Sequence, residues 1–176
     1  MGDFLLESFV PGLGALVSLL MYGAPLSAVL KAASSRSLGD LNAIPFSITI
    51  ANTIIWLSYG LLKHDPFITT PNAPGVCLAV FCTMTTYGLA DETVKSRMRM
   101  ILCGQAVLLP LLGVLTAFAC SNLTEQLSLW GLSGNAISLV YYGAPLSTMA
   151  EVIKTRNSAS ILLPLTLMNL VNALLW

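Results

Sequence analysis

Two pairs of residues in this chain set an amide and an indole one helical turn apart: Asn52 with Trp56, and Asn172 with Trp176. An amide supplies donors and an acceptor, and an indole supplies a flat apolar face with one N–H. Together they suit a ligand with apolar C–H faces and hydroxyl edges, a description that fits a sugar. At ~100° per residue, Pro45, Asn52 and Trp56 fall within about 20° of one direction on a helix, with Thr49 and Tyr59 about 40° to either side. Lipid disfavours an unpaired amide, so this face is expected to look into a helix bundle. Asn52 reads equally well as interhelical glue. Trp56 lies 15 residues from the Leu41 end of its apolar run, nearer the middle of a span than its rim. Trp130, near the start of another run, reads instead as a residue of the interfacial belt.

Prolines form the second constellation. Pro25 and Pro145 each precede a charged residue, Lys31 or Glu151, by six positions; Pro45 follows Asp40 by five and Pro164 follows Arg156 by eight. All four therefore sit within about two turns of the same membrane face. A proline inside a helix removes a hydrogen bond and kinks it, and matched kinks in membrane helices mark moving parts. The expectation is a shared ring of hinges.

What the runs lack narrows the chemistry. Six stretches, Ser8–Leu30, Leu41–Leu62, Pro66–Ala90, Met100–Thr124, Gln126–Ala150 and Asn157–Trp176, hold no Asp, Glu, His, Lys or Arg. Proton or sodium coupling usually needs an ionisable group or an oxygen cage in the membrane, so facilitated diffusion of a neutral solute is favoured. An intramembrane hydrolase would need a base for its nucleophile, so no enzyme is expected. Cys77, Cys82, Cys103 and Cys120 lack paired metal-site spacing, and His64 stands alone, so neither a metal nor another cofactor is expected.

The elements that must carry these residues follow from composition. The chain has 176 residues, 56% hydrophobic and 9% charged, with a mean hydropathy of +0.81. Eight basic residues balance eight acidic ones, which leaves no field to recruit nucleic acid. A helix needs about 20 apolar residues to cross ~30 Å of hydrocarbon. Six such runs describe an all-α polytopic membrane protein embedded in a lipid bilayer. The leader carries Asp3 and Glu7 and no base, unlike a cleavable signal. Alternate loops hold seven basic residues (Lys31, Arg36, Lys95, Arg97, Arg99, Lys154, Arg156) against Lys63 alone. The positive-inside rule then places the N-terminus on the extracellular or lumenal side. The sequon Asn122-Leu123-Thr124 falls on that side too, making Asn122 a glycosylation candidate.

The plan of the bundle is written in a repeat. Tyr22-Gly23-Ala24-Pro25-Leu26-Ser27 returns unaltered as Tyr142–Ser147, and the same offset of 120 carries Arg36 onto Arg156, Asn52 onto Asn172 and Trp56 onto Trp176. The copies begin on the first and fifth spans, so they run in the same direction, and the unpaired fourth span serves as an inverting linker. The expected arrangement is a three-helix repeat over residues 1–91, an inversion-linker helix over 92–125 and a second, parallel three-helix-bundle repeat over 126–176. The counterpart of Pro66–Ala90 would begin near position 186, so this 3+1+3 plan shows only six spans, and the chain reads as ending one span short.

These residues resemble the SWEET (MtN3/saliva) sugar transporters of the eukaryotic seven-span type. The likeness rests on the duplicated Tyr22–Ser27 and Tyr142–Ser147, Lys154-Thr155-Arg156, Trp56-Leu57-Ser58-Tyr59-Gly60, and Asp65-Pro66-Phe67 through Pro71-Asn72. The resemblance implies bidirectional uniport of a mono- or disaccharide by alternating access. It places a proline tetrad on Pro25, Pro45, Pro145 and Pro164, pocket residues on Trp56, Trp176 and Asn72, a gate tyrosine on Tyr59, and a gate charge on Asp65. Asn52 and Asn172 complete the candidate binding set. The alternatives are a shortened, non-transporting chain that forms homo- or hetero-oligomers with complete relatives and modulates them, and a carrier of another small neutral solute. The plasma membrane is the expected location, with an internal membrane as the alternative.

Overall fold

The computed structural model describes residues 8–155, with side chains described for 8–141. Among the described residues the fold is entirely helical. It begins with α1 (Val10–Gly23) and α2 (Leu26–Ser35), followed by α3 (Ile44–Lys63) and α4 (Pro66–Leu89). Two longer helices, α5 (Glu92–Phe118) and α6 (Leu123–Thr155), complete it.

Pro25 divides the first span. It has no N–H to donate to Met21, and its ring crowds the preceding turn, so α1 stops at Gly23 and α2 restarts after a two-residue break. Helix α2 ends with Arg36 in the left-handed region (φ 53°), where the Ser37 N–H donates to the Ala32 carbonyl at 3.2 Å. His64 (φ 55°) closes α3 in the same way, with the Asp65 N–H donating to the Gly60 carbonyl at 2.9 Å. Asp65 then opens α4: its carboxylate accepts from the N–H groups of Phe67 and Ile68, and Pro66 occupies the first turn, where no donor is needed.

The structure departs from the sequence expectations at several points. Pro45 lies in the first turn of α3, with Asn42 Oδ1 accepting the Ile44 N–H just before it. In that position the missing N–H interrupts no helical bond, so Pro45 does not kink its helix. Pro71 and Pro74 both stand inside α4. The basic cluster Lys95, Arg97 and Arg99, expected in a loop, forms the opening turns of α5, because Asp91 caps that helix through the Val94 N–H at 2.8 Å.

Four stretches among the described residues are long and apolar enough to cross a membrane: Val10–Ser35 taken through its break, Ile44–Lys63, Pro66–Leu89 and Glu92–Phe118. The fifth apolar run lies within α6, and the sixth lies outside the described residues. The protein is an integral, helical membrane protein.

Polarity is distributed inside out. Asn52, Thr53, Asn72, Thr86 and Gln105 are buried, whereas Phe118 is 86% exposed and Met84, Met100, Val107 and Leu139 also face outward. Two of the buried hydroxyls are satisfied within their own helices: Thr53 donates to the Thr49 carbonyl at 2.9 Å and Thr86 to the Cys82 carbonyl at 2.7 Å. Helix α3 occupies the centre, packed on α4, α5 and α6, while α4 also receives α1 and α2. Helix α5 buries only Met98, Gln105 and Leu112, a stripe at seven-residue spacing. Gln105 ties that stripe to α3, its Nε2 donating to the Ser47 carbonyl at 2.7 Å.

Trp130 departs from its expected place in the interfacial belt. It is 7% exposed and packs with Ala51, Ile55 and Leu112. Its indole N–H donates to Thr116 Oγ1 at 2.8 Å, so its polar edge is satisfied inside the protein.

Candidate functional site

The expected site residues fall into two hydrogen-bonded groups. The first lies between α1 and α4. The Tyr22 hydroxyl donates to Asn72 Oδ1 at 2.9 Å, and Asn72 Nδ2 donates to the Ile68 carbonyl at 2.8 Å. Asn72 is 6% exposed and sits between Pro71 and Pro74, whose missing N–H groups cannot serve the carbonyls of Phe67 and Thr70. Gly75, one turn along, is needed by the same arrangement. A Cβ there would lie 2.8 Å from Tyr22 Cδ2 and 3.2 Å from Thr53 Cγ2.

The second group joins α3 to α6. Ser138 donates from Oγ to Asn52 Oδ1 at 2.8 Å and accepts from Trp56 Nε1 at 3.2 Å. Asn52 therefore does hold helices together, and no bond from its Nδ2 is seen among the described residues. The indole has committed its N–H and offers a face. Trp56 meets Tyr59 edge to face, ring centroids 5.6 Å apart and planes at 76°. Tyr59 in turn lies 5.9 Å from Lys63 Nζ, and Lys63 pairs with Asp65 Oδ2 at 3.2 Å. Charge thus begins one turn beyond the aromatic pair, at the end of α3.

Tyr59 also lines an open groove of about 400 Å³ with Thr124, Leu127, Ser128, Gly131 and Leu132 of the α6 opening. Asn52, Trp56 and Asn72 lie outside its lining. Trp176, Asn172 and Pro164 lie outside the described residues, as does the side chain of Pro145, through which α6 runs as continuous helix. Asn122 is exposed and caps α6: its Oδ1 accepts the Glu125 N–H at 2.9 Å while its Nδ2 donates to Glu125 Oε1 at 2.9 Å.

Sequence reasoning missed Tyr22, Gly75, Gly134 and Ser138. Tyr22 opens the duplicated string, which carried the signal without showing its partner. Gly134 and Ser138 carry a similar trace, because the offset of 120 maps them onto Gly14 and Ser18, both buried on α1.

Three comparisons bear on the whole. A profile of the MtN3_slv family, described as sugar efflux transporter for intercellular exchange, matches residues 8–92 and 128–176. The chain is 30% identical to sugar transporter SWEET1 of Homo sapiens and to that of Papio anubis, over 99% of its own length and 78% of each relative. It is 22% identical to bidirectional sugar transporter SWEET5 of Arabidopsis thaliana, over 93% of its length and 69% of that protein. In three dimensions it resembles a eukaryotic SWEET transporter solved at 3.7 Å resolution, with a TM-score of 0.75 and 19% identity, covering 95% of this chain and 80% of the other.

Proposed function

The chain belongs to the MtN3_slv (SWEET) family, whose members are sugar transporters and not enzymes, and on that premise we propose that it is a bidirectional uniporter for a mono- or disaccharide, working by alternating access. The chain divides into a first repeat (1–91), an inverting linker (92–125) and a second repeat (126–176), an arrangement of parallel repeats about an axis along the membrane normal. Sugar binds at the midplane against the faces of Trp56 and Trp176, with Asn72, Asn52 and Asn172 as the hydrogen-bonding amides. Pro25, Pro45, Pro145 and Pro164 ring the cytoplasmic mouth, and Tyr59 with Asp65 forms the opposite gate. The N-terminus and Asn122 face the outside of the plasma membrane.

The observation that carries this reading is the uncharged polar interior. Asn52, Trp56 and Asn72 meet only neutral partners in the bundle, and the nearest ion pair, Lys63–Asp65, lies at a helix end. Among the described residues the bundle interior offers no carboxylate or imidazole to bind a driving ion. The test is counterflow in proteoliposomes preloaded with unlabelled glucose or sucrose. The expected result is transient accumulation of the labelled sugar, equal in both directions and unchanged by a protonophore. Absence of counterflow for every sugar in the panel would overturn sugar transport; collapse on adding protonophore would overturn uniport.

A further inference from the structure

The face of α6 that meets α3 is made of small residues at helical spacing. Gly131, Gly134 and Ser138 stand opposite Tyr59, Trp56 and Asn52 in antiparallel order. A Cβ on Gly131 would lie 3.3 Å from Tyr59 Cε2. On Gly134 it would lie 3.0 Å from Trp56 Cε2, 3.1 Å from Cζ2 and 3.4 Å from Ile55 Cγ2. Four residues further on, the Ser138 hydroxyl takes the Trp56 N–H and gives its own proton to Asn52. The indole is therefore held at two points, by lack of volume beneath its six-membered ring and by an acceptor at its nitrogen. Small residues of this kind let membrane helices approach closely. Here they also seat an aromatic plate.

We propose that Gly134 and Ser138 are positioning residues for the substrate site: they set the orientation of Trp56 and Asn52, and through them the affinity for sugar. The proposal rests on the reading of Trp56 as a sugar-binding plate. It touches no sugar atom itself. Ser138 has one donor and spends it on Asn52 Oδ1, so the amide is fixed in one orientation and presents its Nδ2 donors and its second Oδ1 lone pair in a defined direction. With its N–H committed, Trp56 recognises its ligand by the ring face, which suits the C–H side of a pyranose. The repeat supports this independently. The offset that carries Asn52 and Trp56 onto Asn172 and Trp176 also carries Gly134 and Ser138 onto Gly14 and Ser18. Both halves of the seat thus recur at one period, as expected of a functional unit that was duplicated whole.

The experiment pairs transport with a spectroscopic reading that needs no sugar. Ser138→Ala, Ser138→Thr and Gly134→Ala are reconstituted beside the unaltered full chain. An interhelical hydrogen bond of ordinary strength predicts that Ser138→Ala raises the sugar KM about three- to thirtyfold, with Vmax largely kept. Ser138→Thr, which keeps the hydroxyl, restores most of the affinity. The indole hydrogen-bond band in ultraviolet resonance Raman, isolated by subtracting the Trp56→Phe variant, shifts toward the unbonded position in Ser138→Ala. If the unaltered chain moves no sugar while the band still shifts, the contact stands and the transport reading fails. If the unaltered chain transports and Ser138→Ala leaves both KM and band unchanged, the positioning role is overturned. A Gly134→Ala protein that fails to reach the membrane leaves the two Ser138 variants to decide.

Discussion

Removal of one hydroxyl, Tyr22→Phe, probes the α1–α4 half of the site. In the structure that hydroxyl donates to Asn72 Oδ1 at 2.9 Å, and the other end of the amide is fixed to the Ile68 carbonyl at 2.8 Å. The two bonds select one of the two amide orientations, so the second N–H and the second lone pair are presented in a defined direction. Without the Tyr22 proton, a nearly buried acceptor loses its partner and the amide loses half its alignment. Interhelical bonds of this kind are worth about 0.6 to 1.7 kcal/mol in membrane proteins, so a central value of about 1 kcal/mol predicts about a fivefold rise in KM with Vmax changed less than about twofold. The assay is initial-rate uptake of labelled sugar into proteoliposomes at varied concentration. A double-mutant cycle makes it specific: Tyr22→Phe placed on Asn72→Ala should add almost nothing, because the partner is already gone. Additive losses, or an unchanged KM for the single variant, would refute the claim that Tyr22 acts through Asn72.

Two further predictions follow from packing and capping. Gly75→Ala places a methyl 2.8 Å from the Tyr22 ring, whose far end is tethered to Asn72; overpacking of this size should destabilise by about 1–3 kcal/mol, read as a lowered melting temperature in detergent, with Tyr22→Ala in the same background restoring part of it. Asp65→Ala removes both the α4 cap and the Lys63 ion pair and should cost about 1 kcal/mol or more, whereas Asp65→Asn keeps the cap acceptor and should lose only the exposed pair, worth about 0–1 kcal/mol; equal melting temperatures for the two would sink the assignment.

The spans were legible because membrane crossing leaves a length signature that no tertiary contact can alter. The duplicated string is visible in the sequence itself. The face carrying Asn52 and Trp56 was legible from period alone, since both residues do lie toward the bundle and their partners are polar. The partners themselves were not. Ser138 lies 82 residues from Trp56 and Tyr22 lies 50 from Asn72, and such pairs depend on how far each helix is rotated against its neighbour. Pro45 illustrates a different limit. Its distance from Asp40 suggested an interior position, but the Asn42 turn starts α3 immediately before it and turns a kink residue into an initiating one. Trp130 was misplaced because a belt residue and a core residue share one sequence position near a span end. Only Thr116, on the neighbouring helix, distinguishes them.

The gap at Ala24–Pro25 has a mechanical meaning. Helix α2 beyond it is a rod of ten residues, about 15 Å long, and a rotation of about 20° at its root would sweep its tip through about 5 Å. Because the chain is already interrupted there, such a swing breaks no further helical bond. Resistance comes from the two side chains that seat the rod, Val29 and Ala32, both fully or nearly buried where α2 lies along α4. The resistance to any such swing would therefore be set by how tightly a valine and an alanine are packed.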